Sequence, residues 1–535
     1  MRIFPDNLNE ALLPTSAETS NRPRPESVAR AGGRRRAIRP LARDLALTMA
    51  TEFGILVAGV ALISLIGRLL GPESLGAYLL VRRVTQWLIT GVLLGMGYAL
   101  PRYIANSVKK AEAERHAYFL AGSACLLTGT TLAEILLWFE RQTVARWLFG
   151  SVRFESLVLP LGLLLAGIAF EAAPYGYYRG ELAMGKANLL QFLHFAIIPV
   201  AAVLLLFRTG SVALILDLIG GATMLAAVLL AWPICRKIAA HPLPKIKPYV
   251  IELLRYGLGR VPGDFGAAAL FALGPLVAAH YVSMVQVGYL LLGSSFLMVI
   301  GYTTGPLGVI LLSKISMMLA QDRNEEVRAS LQHLVGAVLD MSLFATLQLV
   351  VLTDLLIRIW VGPRFLEATT VTRLLLLAIP PYLFFMALRS SIDAATVKPR
   401  NAGNVLVALG IFVALIVVTV HLFPVTSLLN AIAGSLVVAL AALSLLTVRT
   451  FKQLYEVTIP WRRCAPSVIA AVLLGGVGFG FRWSEGFAGP IFLVTLVEIG
   501  IFAAYVGVLL KLDSPWLGFL WQMAFSDHRG DEAMA

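Results

Sequence analysis

Arg82 and Arg83 stand side by side in the apolar run 77–100, about six residues or ~9 Å in from its start at the usual helical rise. A guanidinium held among apolar groups is a ready donor set for phosphate oxygens, so either residue suits a diphosphate. Neighbours on a helix point about 100° apart, so one of the two needs to face a cavity, and Gln86, four residues on, shares the face of Arg82. The same placement also serves a plainer end, the snorkelling of both heads to the nearer membrane interface. Arg260 and Asp264, four apart in the run 256–279, can pair along a helix, with Pro262 and Gly263 between them to bend the backbone. That pair reads either as part of a moving, substrate-facing element or as a structural ion pair around a kink.

Glu52, Glu171, Asp340 and Glu498 are the deeper acids, each inside a long apolar run. Buried carboxylates carry protons or sodium in coupled transport, and they also serve as internal hydrogen-bond partners. Glu52, one turn after Thr48 and facing the same way, is the first candidate for coupling, followed by Glu171 and Asp340. Trp87, Tyr98, Tyr175, Tyr177 and Tyr178 offer stacking faces for sugars, although interfacial aromatic belts use the same residues. Prolines at 160, 174, 199, 262, 275, 306, 380 and 381 mark breaks of the kind tolerated where backbone is buried in protein or lines water.

The elements that must position these residues are membrane helices. The 535 residues are 58% hydrophobic and 14% charged, at a mean hydropathy of +0.80. Fourteen segments are long and apolar enough to cross a bilayer: 45–68, 77–100, 117–139, 156–178, 188–207, 212–234, 256–279, 288–311, 331–357, 367–388, 402–424, 427–448, 464–481 and 489–510. Of the 44 Lys and Arg, 32 fall on one face, 9 on the other and Arg82, Arg83 and Arg260 inside spans. The positive-inside rule makes the rich face cytoplasmic, with both termini on it. The net charge of +13 thus follows topology; it forms no basic stripe with aromatic platforms, which argues against nucleic acid as a partner. Residues 1–44 and 511–535 read as cytoplasmic tails, the first basic and disordered, with Arg34 to Arg36 near anionic headgroups or simply reinforcing orientation.

The chain repeats itself at an offset of 212. LGPESLGAYLL (Leu70 to Leu80) matches YVSMVQVGYLLL (Tyr281 to Leu292) at Gly76 and Gly288; ARWLFGSVRF matches IRIWVGPRF at Gly150 and Gly362; Lys186 matches Lys398. Two six-helix lobes follow, 45–234 and 256–448, with 464–510 as an appended pair of helices. Six is even, so the lobes keep one orientation and are related by a pseudo-two-fold axis along the membrane normal.

At GRLLGPESLGAYLLVRRV (Gly67 to Val84), with weaker echoes at YYRGELAMGKANLL (Tyr177 to Leu190) and DAATVKPRNAGNVL (Asp393 to Leu406), the chain resembles a polysaccharide flippase of the multidrug, oligosaccharidyl-lipid and polysaccharide exporter superfamily. The resemblance covers roughly residues 42–450. It implies an all-α protein of the bacterial inner membrane, a V-shaped pair of six-helix bundles. Such a protein carries an undecaprenyl-diphosphate-linked oligosaccharide to the outer leaflet by alternating access, as a monomer among lipids and beside polymerase or other assembly proteins.

A cation-coupled drug exporter and a peptidoglycan-precursor flippase remain alternatives on the same scaffold. An enzyme is disfavoured: the longest connection, near Lys314 to Ser330, is under about twenty residues, and the longest outside one is Glu140 to Glu155. GELAMGKA (Gly180 to Ala187) nearly spells a phosphate loop, but Ala187 stands where Ser or Thr must hold magnesium. Three cysteines and seven scattered histidines give neither a disulfide framework nor metal spacing, so no cofactor is expected.

Overall fold

The computed structural model describes residues 29–107, 112–240, 245–395, 400–457, 461–485 and 490–512, with backbone alone for most of 29–42 and 302–314. The remainder of both tails and Lys398 lie outside the described residues. Two units divide the chain, Met1–Thr48 and Met49–Ala535. In the first, residues from Ala29 onward are helical, where the sequence suggests a disordered tail up to residue 44. The second is an all-α, polytopic membrane fold.

Among the described residues, twelve helices are long and apolar enough to span, and a bent pair, Pro363–Leu376 with Ile379–Ala395 at 50°, makes a thirteenth. Ala46–Val92 holds 47 residues. At 1.5 Å per residue it would be ~70 Å long, over twice a hydrocarbon core of about 30 Å, so it is two spans. Gly71 divides them with φ 84 and ψ −178, a conformation glycine alone adopts easily, and Pro72 starts the next helix where its missing N–H costs nothing. Fourteen spans result.

The structure moves several boundaries. The second span does not end near 100: it breaks at Leu93–Gly95, where Leu94 (φ 49) and Gly95 (φ 77) turn left-handed, and resumes as Met96–Asn106. The seventh span starts at Val261 rather than 256, preceded by a separate elbow helix, Lys247–Gly257. Pro262 therefore sits in a first turn and makes no kink; the break lies before it, at Leu258–Arg260. The two breaks abut, since a methyl on Gly95 would collide with the Gly257 carbonyl. The expected connection near Lys314 to Ser330 is mostly helix: the eighth and ninth spans, Met284–Ala320 and Asn324–Trp360, run 37 residues each and leave only Gln321–Arg323 between them. Each is ~55 Å long and outreaches the bilayer core by roughly 25 Å.

Packing within each half follows one plan. The fourth span (Val152–Gly180) lies on the second and the sixth (Val212–Ala239), as the tenth lies on the eighth and the twelfth (Val425–Tyr455). Gly167 and Gly220 let the fourth and sixth spans cross almost backbone to backbone, the close approach that small residues allow in lipid. Between the halves, Gly76 meets Gly288: a methyl on Gly76 would strike the Met284 carbonyl and lie 3.1 Å from Gly288 Cα. A residue that touches its own counterpart lies on the axis relating the two copies. Flanking contacts come in the matching pairs that such an axis requires. Gly67, at the end of the first span, packs on Val361 and Phe365, while Ala279, 212 residues after Gly67, packs on Gly150. Ser64 and Arg68 donate to the Trp360 carbonyl at 2.5 and 3.3 Å, and the Trp360 indole donates to the Val60 carbonyl at 2.8 Å. The halves are thus joined at the face poor in Lys and Arg.

The thirteenth and fourteenth spans, Cys464–Ser484 and Ile491–Lys511, dock on the ninth. Asp340 is what they hold: Ser467 donates to its carboxylate at 2.5 Å and Tyr505 to its backbone carbonyl at 2.8 Å.

Candidate functional site

Arg83 reaches from the first half into the second. One amino group is 3.5 Å from the Ser294 hydroxyl on the eighth span, the other 3.4 Å from Gln86 Oε1, and the guanidinium lies 6.0 Å from the Phe271 ring on the seventh. Trp87, one turn on, packs against Phe265 with ring centroids 5.1 Å apart and the planes tilted by 43°. Arg82 is turned away, beside the buried Tyr78 hydroxyl. Gln86 therefore serves Arg83, at i+3, rather than Arg82, whose face it was expected to share.

A second group gathers at the face rich in Lys and Arg. Arg260, just outside the seventh span, does not close an ion pair with Asp264; its guanidinium lies over the rings of Tyr98 and Tyr256, 5.1 and 5.3 Å away. The charges of Asp264, Arg389, Arg260 and Arg179 all act on Tyr98, which is 50% exposed and so open to a ligand. Arg179 ends the fourth span, 5.9 Å from the Tyr175 ring, and Glu52 on the first span lies within its field. Arg389 and Asp393 come from the tenth span, where Asn401 donates to Asp393 Oδ1 at 2.8 Å. All three arginines are exposed. Two members of the group hold equivalent places in the two halves, Glu52 and Asp264 being 212 apart. Chemically it is a ring of guanidinium donors with aromatic faces, interleaved with carboxylates, able to hold a multivalent anion attached to something that stacks.

The elbow helix forms one side of this group. Arg102 donates to the Tyr256 hydroxyl at 2.8 Å and stacks on its ring, and Tyr118 donates to Glu252 at 2.7 Å while meeting Tyr249 edge-on. The chain leading into the seventh span is thereby moored to the ends of the second and third.

The remaining candidates lie elsewhere. Glu171 is buried against the His194 imidazole, inside the first half and beside a π-helical turn, Leu193–Ile197. Asp340 faces the appended helices, not the other half. Lys186, of the phosphate-loop look-alike, lies over the Tyr178 ring at 5.0 Å. Among the described residues, no three His, Cys, Asp or Glu side chains are grouped to hold a metal. Sequence reasoning missed Arg179 and Arg389 by assigning them to connections; both lie inside helices, Val158–Gly180 and Ile379–Ala395.

The fold is one shared with solved membrane transporters and a lipid flippase. The lipid II flippase MurJ, in an inward-closed conformation, superposes with a TM-score of 0.66 at 14% identity over 87% of this chain and 99% of its own. An inward-facing multidrug-resistance MATE transporter gives 0.64 at 14% identity, over 77% and 98%. A mutant of the Vibrio cholerae MATE transporter VcmN gives 0.53 at 16%, over 78% and 99%. No family model and no curated protein matches the sequence.

Proposed function

We propose that this protein is a flippase that carries an undecaprenyl-diphosphate-linked oligosaccharide from the cytoplasmic to the outer leaflet of a bacterial inner membrane, for polysaccharide synthesis. The observation that carries this reading is that Arg260 lies over the rings of Tyr98 and Tyr256 while Arg179 and Arg389, one from each half, are near enough to Tyr98 to act on it electrostatically. On this reading the diphosphate binds the arginines, the first sugars lie on the tyrosines and the polyprenyl tail stays in lipid. The two lobes, 45–234 and 256–448, then part at the Gly76–Gly288 seam while closing at the arginines. Arg83, beside that seam, is the next donor the headgroup meets. Both termini are cytoplasmic and the monomer is the working unit, acting beside polymerase or other assembly proteins.

The membrane potential supplies direction without nucleotide hydrolysis. Moving roughly two negative charges outward through an inside-negative potential releases about 2.3 kcal/mol per charge per 100 mV. The fixed arginines cross nothing and only lower the cost of taking the headgroup out of water.

The test is leaflet-resolved labelling of a short lipid-linked oligosaccharide in vesicles with and without the protein. Protein-dependent transfer that is lost on replacing Arg179, Arg260 and Arg389 by Ala supports the reading; transfer unaffected by that triple change refutes it. The carboxylates Glu52, Asp264 and Asp393 among the arginines favour a second reading, a cation-coupled exporter of organic cations. Proton- or sodium-driven uptake of a cationic dye into the same vesicles, with no lipid transfer, would select it.

A further inference from the structure

The ninth, thirteenth and fourteenth spans enclose polar groups that the arginine site does not use. Gly478, on the thirteenth span, leaves a notch into which two oxygens point: a methyl there would lie 3.4 Å from Glu498 Oε1 and 3.6 Å from Gln348 Oε1. Glu498 comes from the fourteenth span and Gln348 from the ninth. Glu498 Oε1 and both amide atoms of Gln348 are buried without a hydrogen-bond partner. Gln348 carries an acceptor and a donor on one amide, so by turning over it can face the Glu498 oxygen with either Oε1 or Nε2.

We propose that Glu498 is a proton-binding site, its carboxyl O–H donating to Gln348 Oε1 across the notch that Gly478 leaves open. When the proton departs, rotation of the Gln348 amide turns an N–H toward the carboxylate, so the same side chain serves both states. No other atom changes hands: the proton moves between Glu498 and water.

The surrounding charges give the proton a consequence. Arg482, one turn from Gly478 and 1% exposed, lies within the field of Glu498 and is bonded at 2.5 Å to Asp354 on the ninth span. Asp354 also meets Arg373 of the tenth span at 3.4 Å. An ionised Glu498 competes with Asp354 for Arg482, whereas a protonated Glu498 leaves Arg482 to Asp354. The proton therefore sets how firmly the appended helices are tied to the ninth and tenth spans. Phe344 and Tyr505, stacked at 4.0 Å, pack between the ninth and fourteenth spans on the side of this site nearer Asp340.

The experiment is infrared difference spectroscopy of the full-length protein in nanodiscs as pH is stepped, with protons as the only ligand. A protonated-carboxyl carbonyl signal that titrates in the wild type should vanish in Glu498→Gln and persist in Glu134→Gln, a buried acid of another span. Gln348→Leu, which keeps Glu498, should raise the proton affinity read from that signal roughly threefold or more, because the hydrogen bond it removes is stronger to the ionised than to the protonated carboxyl. A signal unchanged in Glu498→Gln overturns the proposal, as does a midpoint unmoved in Gln348→Leu. Should Glu498→Gln fail to insert, the Gln348→Leu titration decides alone.

Discussion

Replacing Gly76 by Ala should prise open the seam between the halves. The added methyl would strike the Met284 carbonyl and sit 3.1 Å from both N and Cα of Gly288, all backbone atoms that no rotamer change can move. Relief requires separation of the second and eighth spans. Overpacking of this kind costs about 1–3 kcal/mol. If the crossing exists only while this face is closed, the whole cost falls on the closed state, shifting the closed-to-open ratio roughly 5- to 150-fold. Ser294, 2% exposed and 3.5 Å from Arg83, reports on that opening. With Cys125, Cys235 and Cys464 replaced by Ser, a Ser294→Cys variant should react with a membrane-impermeant maleimide, added at the face poor in Lys and Arg, faster by the same factor when Gly76→Ala is added. Gly288→Ala, whose methyl would lie 3.0 Å from Gly76 Cα, should act alike. Unchanged labelling in both variants, with normal insertion, would refute the reasoning.

Three further outcomes follow from the same geometry. Arg179→Gln and Arg389→Gln should each weaken binding of a short-chain polyprenyl diphosphate roughly ten- to hundredfold by calorimetry, the effect of losing a charged hydrogen-bond donor, whereas Arg82→Gln, beside Tyr78, should change it little. His194→Phe, which leaves Glu171 buried without its partner, should lower stability by about 3–5 kcal/mol, read as a drop in melting temperature in detergent. Asp354→Asn takes a carboxylate from the buried Arg482 and should destabilise by a similar amount, about 3–5 kcal/mol, with Arg482→Met added to it restoring much of the loss.

How much of this could be read beforehand depended on what each signal measures. Apolar length found every span, and Gly71 followed by Pro72 marks a turn by backbone chemistry alone. The 212-residue offset foretold that Gly76 and Gly288 were equivalent, but not that they touch. Length could not place the start of the seventh span: the elbow helix ends in Gly257, Leu258 and Gly259, apolar enough to merge with the span that follows. Which of Arg82 and Arg83 turns to the other half was likewise hidden, because a helix fixes their 100° separation while packing against Phe271 and Ser294 fixes the rotation. Counting basic residues by face put Arg179 and Arg389 in connections, and charge counting cannot tell an arginine in water from one at the mouth of a site. Asp340 looked like a coupling acid because nothing periodic announces that two extra helices will dock on the ninth span.

The abutting helix breaks at Leu93–Gly95 and Leu258–Arg260 tie two motions into one. A hinge normally belongs to a single rod, which then bends as its own sequence allows; here two rods, one from each half, are jointed at the same spot, with Gly95 and Gly257 back to back. Swinging Met96–Asn106, with Tyr98 and Arg102 aboard, must carry the loop that bears Arg260 along with it. The jaws on either side of the arginines are thereby geared: neither can open alone, and a stiffening change in either joint will be felt in both.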